Sequence, residues 1–75
     1  MITTINQILI FKTNIQTATD KHRVQHLLDS HTDIDQWNID QQDVDCVLRV
    51  ISESLTPEQI IELITNHGFH CAELE

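Results

Sequence analysis

The chain predicts an α+β fold with the element order βαββαβ, and three observations carry that expectation. Short β-branched runs alternate with stretches whose apolar residues recur at helical spacing. The segment Thr56-Pro57-Glu58-Gln59 has the residue types of a helix start. The only glycine, Gly68, stands where that helix needs a left-handed residue to end.

Ile8-Leu9-Ile10-Phe11 is a short apolar run with β-branched and aromatic content, which favours a first strand. From about Thr19 to His31 the pattern turns helical. Val24, Leu27, Leu28 and His31 fall at i, i+3, i+4 and i+7 and make one stripe. Asp33 to Asp40 reads as a second strand with Trp37 and Ile39 on one face. Asp40 to Asp43 is a polar turn, and Val44 to Ile51 is the strongest strand signal in the chain.

In the second helix Thr56 suits the N-cap, Pro57 the first helical position and Gln59 the reciprocal place in a capping box. Ile60, Ile61, Ile64 and His67 form its stripe, and Phe69 to Leu74 is a last short strand. This order is the split βαβ, or ferredoxin-like, arrangement. Right-handed crossovers put both helices on one face of a four-stranded antiparallel sheet of order 4-1-3-2. Cys46 and Cys71 then lie on the non-neighbouring strands three and four, which argues against a disulfide.

At 75 residues the chain is one domain, residues 1–75. A domain of this size buries only about 60–65% of its unfolded surface and has no room for a deep cleft with its own walls. Twelve acidic residues against four basic ones give a net charge of −8. Such a surface repels phosphate backbones and anionic lipid heads, so no nucleic-acid or membrane partner is expected. A basic protein partner, a cation or a homo-oligomer is electrostatically easier. A hydrophobic fraction of 40% suits a globule, and no apolar run approaches a membrane span. The residues after Met1, ITTINQ, lack the basic start and cleavage site of a secretory signal, so a cytoplasmic location with reduced thiols is the expectation.

Nearly the whole chain resembles the heavy-metal-associated (HMA) domains of copper chaperones and metal-pumping ATPases. That family's first helix carries M-x-C-x-x-C followed by apolar residues four and eight places after the second cysteine; Val24 and Leu28 stand four and eight places after Asp20. Its second strand reads G-V-x-x-V-x-V, and Asp33-Ile34-Asp-Gln-Trp37-Asn-Ile39 has the same spacing. Its second helix ends I-I-x-x-I-x-x-x-G-(Y/F), matched by Ile60-Ile61-Glu-Leu-Ile64-Thr-Asn-His-Gly68-Phe69. The departure is at the metal motif. Ile15 takes the methionine position, Thr17 the first cysteine and Asp20 the second, and the run from strand to Ile15 is about one residue longer than usual. The resemblance implies the fold. It does not carry over soft-metal binding, because the thiolates that select copper(I) are absent.

No metal is expected at that loop. Thr17-Ala18-Thr19-Asp20 instead fits a capping box, with Thr17 as N-cap and Asp20 at N3, and Asp20 suits the positive end of the helix dipole. A harder site is the alternative. Asp20, His22, His67 and His70 would converge on zinc, nickel or copper(II) if the turn before the last strand lies near the first loop. His22 and His26, four apart on a helix, are a separate surface clip. The plainer reading of His22, His26 and His31 is solvated helix, and of His67 a helix C-terminal residue that complements the dipole. Cys46 and Cys71 read as small buried hydrophobes, and Trp37 as core or sheet face. No nucleophile–base ordering, glycine loop or carboxylate pair marks an enzyme. The expected function is a non-enzymatic binding module without a cofactor, acting by protein–protein interaction through the open sheet face or an edge strand. The alternative is metal binding or trafficking through Asp20 and nearby histidines.

Overall fold

The computed structural model describes residues 7–74; the reading of the first residues as lacking a secretory signal falls largely outside them. The elements are β1 (Gln7–Thr13), α1 (Ala18–Asp29), β2 (Gln36–Asp40), β3 (Val47–Ser52), α2 (Pro57–Thr65) and β4 (Cys71–Glu73). One antiparallel sheet runs β2-β3-β1-β4, the expected ferredoxin-like order. Among the described residues no helix is long and apolar enough to cross a membrane.

Register explains which side chains face the helices. Phe11 pairs with Leu48 of β3 and Glu73 of β4, Leu9 with Val50, and Trp37 and Ile39 with Val50 and Leu48. Opposed residues of an antiparallel pair share a face. Leu9, Phe11, Leu48 and Val50 therefore point one way and join Val24 and Leu28 of α1 and Ile60 and Ile64 of α2 in a single core. Both helices cover that face. Ile15, Leu55 and Phe69, from the connecting segments, close the core at its ends.

The helix starts are local chemistry. Thr17 and Thr56 both sit in extended backbone and both complete reciprocal capping boxes, with Asp20 and Gln59 respectively. At the other end of α2, Gly68 takes φ +90°, a conformation that costs a side-chain-bearing residue. The turn it permits brings the Phe69 N–H back to the Ile64 carbonyl at 3.4 Å and drops Phe69 into the core.

Four boundaries differ from the sequence expectation. The first helix ends at Asp29, short of His31. The Ser30 N–H caps back to the His26 carbonyl, and the Ser30 hydroxyl donates to that of Leu27. The second strand starts at Gln36, not Asp33, because the Asp33 N–H donates to His31 Nδ1 and the Ile34 N–H to the His31 carbonyl, which curls the chain. The third strand starts at Val47, not Val44. The Asp43 side chain accepts from the Asp45 N–H at 2.9 Å and its carbonyl from the Cys46 N–H at 2.9 Å, so the turn is longer than Asp40–Asp43. Val44 is left 92% exposed, and Cys46 precedes the strand rather than lying on it, buried and left-handed at φ 45°. The last strand is only Cys71–Glu73.

Two polar side chains hold the connections together. Ser52, fully buried, donates its hydroxyl to the Asp33 carbonyl at 2.7 Å and accepts from the Ser54 and Leu55 N–H groups at 3.3 and 3.1 Å. Thr13 donates its N–H to the Asp45 carbonyl at 2.9 Å and its hydroxyl to the Cys46 carbonyl at 2.7 Å, while accepting from the Ile15 N–H. Ser52 clamps the start of β2 and of α2 to the end of β3. Thr13 clamps the β2–β3 turn to the end of β1.

Candidate functional site

At the α1 N-terminus Ile15 is fully buried and draws the loop inward. The Asp20 N–H donates to Thr17 Oγ1 at 3.0 Å, and Asp20 Oδ2 accepts from the Thr17 and Gln16 N–H groups at 3.3 Å each. From the β2–β3 turn Gln41 Nε2 donates to the Ile15 and Thr17 carbonyls at 3.2 and 2.9 Å. Partial desolvation pushes the Asp20 carboxyl upward in pKa. The hydrogen bonds from Thr17 and Gln16 and the positive charge of Arg23 together outweigh it, and the group titrates below the ordinary aspartate range.

The capping geometry sets two expected results. Thr17→Ala lowers stability by about 1 kcal/mol in metal-free buffer, read from the urea midpoint. Unchanged stability there would discard the cap as the role of this loop. Because the folded-state pKa of Asp20 is depressed, its contribution is complete above the unfolded value of about 3.9 and lost as pH falls through the folded value. The stability gap between wild type and Asp20→Asn therefore closes in acid.

The histidines are dispersed. His67 Nδ1 lies 2.9 Å from the Leu63 carbonyl, one turn back at the C-terminus of α2. His70 is held through its backbone, whose N–H donates to Asn14 Oδ1 at 2.8 Å. His22 turns to His26, with Nε2 atoms 3.3 Å apart and ring centroids at 4.8 Å, edge to face. Among the described residues no three histidine, cysteine, aspartate or glutamate side chains gather as a metal site. Asp20, His22, His67 and His70 are thus not brought together as a set.

The two cysteines are free thiols. Thr13 lies between them, paired with Cys71 across β1–β4 and bonded to Cys46 on the other side. Two strand spacings, roughly 10 Å, exceed the reach of a disulfide. Cys71 lines a cleft of about 360 Å³ with Lys12, Val44, Asp45 and His70. Burial pushes its thiol up to about 12, which favours the protonated thiol at neutral pH.

The sheet face opposite the helices has a different character. Ile8 pairs with Ile51, Ile10 with Arg49 and Lys12 with Ala72, all on that face. Ile8 is 62% exposed, and Ile10 and Ile51 are half-buried beside it. Lys12 and Arg49 are two of only four basic residues in the chain. Arg49 Nη1 donates to Asn38 Oδ1 at 3.3 Å, which holds it along the sheet. Strand alternation in β1 and β3 marks this face in the sequence, but the neighbours Ile8–Ile51 and Ile10–Arg49 come from register alone.

No family model, curated protein or solved structure matches this chain.

Proposed function

We propose that the chain is a non-enzymatic protein-binding module that docks through the sheet face opposite its helices. The observation that carries this reading is the isoleucine cluster of exposed Ile8 with half-buried Ile10 and Ile51, bordered next to Ile10 by Arg49 and Lys12, on a chain that is otherwise strongly acidic. An apolar centre with a charged rim is the anatomy of a docking patch. The two basic side chains select a protein partner whose apolar patch is rimmed by carboxylates. This differs from the basic partner that net charge alone favours, because the charges next to the isoleucines, Lys12 and Arg49, are basic although the chain as a whole is acidic.

The resemblance to HMA domains enters the same proposal as a degenerate member. It keeps the fold, and its metal loop is given over to a helix cap. A net charge of −8 makes nucleic acid and anionic membranes poor partners, and two free thiols suit a reducing cytoplasm.

The test places a photo-crosslinking residue at position 8 or, on the helix side, at position 58, in cells that make the protein. The expected adduct forms from position 8 only and disappears when Lys12→Glu and Arg49→Glu are added. An adduct from position 58 alone, or none from position 8, would sink the proposal. Sedimentation velocity distinguishes a second copy of the chain from another protein.

A further inference from the structure

His22 and His26 stand one turn apart at exposed positions of α1, on the opposite side of the sheet from the open face. We propose that this pair is a two-imidazole clip for a borderline divalent cation such as zinc or nickel. The inference does not depend on the docking surface.

The two Nε2 atoms are 3.3 Å apart. Two nitrogens at that separation, each about 2.0–2.1 Å from one ion, subtend roughly 105–110° at it, which is the tetrahedral angle zinc adopts. The rings already meet through these nitrogens, one imidazole donating its N–H to the other. Cation binding replaces that hydrogen bond. The donating ring moves its proton from Nε2 to Nδ1, and both Nε2 lone pairs become ligands with no net change in protonation. A helix backbone fixes the spacing, so little conformational freedom is lost on binding.

The overall charge of the chain also favours a cation. The chain carries a net charge of −8. Lys21 and Arg23 flank His22 in sequence, and Arg23 holds its guanidinium 5.2 Å from the centroid of the Phe69 ring, a cation–π contact on the core side. Two protein ligands leave two tetrahedral positions for water or for a side chain of another molecule. The clip is therefore an open site of micromolar affinity, weaker than a four-ligand structural centre.

Zinc and nickel titration of the whole chain by calorimetry provides the test. One ion is expected to bind per chain. His22→Ala and His26→Ala should each weaken binding at least tenfold, with His67→Ala and His70→Ala unchanged. Because binding ties together one turn of α1, zinc at ten times its Kd should raise Tm by roughly 5–10 °C in the wild type and not in His22→Ala. Circular dichroism verifies that the variants, altered at exposed positions, keep the fold. Absence of one-to-one binding, binding retained in both His22→Ala and His26→Ala, or binding lost in His67→Ala overturns the proposal.

Discussion

Phe11→Ala is expected to lower stability by about 3–5 kcal/mol. Phe11 is fully buried at the centre of the sheet, on the strand that pairs with both β3 and β4. Removing the ring takes away its transfer free energy and leaves a cavity between the sheet and both helices. The surrounding β1 backbone is fixed by ladders on both sides, so the walls collapse only in part. A domain of this length has in total about 4–11 kcal/mol of stability. Between about a quarter and all of that margin disappears, and the urea midpoint falls in proportion. Lys12→Ala, the next residue on the opposite face, should stay within about 0.5 kcal/mol of wild type. Equal midpoints for the two variants would mean that the helices do not pack on this side of β1.

Ser52→Ala is the second large effect, about 2–3 kcal/mol, although it removes a single oxygen. That oxygen serves one acceptor and two donors from two different connections. Alanine leaves the Leu55 N–H buried with no replacement partner in sight, and frees the Asp33 carbonyl that positions the entry to β2. The loss exceeds an ordinary hydrogen bond because unsatisfied buried groups bear the full desolvation cost. Equilibrium unfolding gives the magnitude. Amide exchange gives the location, with Leu55 losing protection more than the β1–β3 ladder. Ser54→Ala is the control, since Ser54 is exposed. If Ser52→Ala and Ser54→Ala were indistinguishable, the clamp would carry no weight.

Neither Ser52 nor Thr13 was visible as important in the sequence, and the reason is physical. Each joins a local turn to a backbone carbonyl 19 or 33 residues away, and no periodicity or local motif encodes that distant partner. The capping residues are the opposite case. Thr17 with Asp20 and Thr56 with Gln59 act within one turn of helix, and both boxes form as their spacing implied. The strand boundaries fall between. Val44 and Cys46 have strand-like side chains, yet Asp43 bends the backbone through its own hydrogen bonds and overrides that preference.

The candidate site was legible to the same extent. Spacing along α1 was enough to pair His22 with His26, because a helix converts i, i+4 into contact. Grouping Asp20, His22, His67 and His70 required the approach of segments distant in sequence, and the fold does not assemble that set among the described residues.

By itself the sequence determined the order of elements, the starts of both helices, the turn at Gly68 and the apolar stripes that build the core. These depend on interactions a few residues long, or on burial that any compact packing of the stripes provides. Only the tertiary structure decided where the strands begin, which isoleucines and basic residues meet on the sheet face, and which lone serine and threonine hold the connections. Those outcomes depend on register and on hydrogen bonds across the chain, which exist only once the strands have paired.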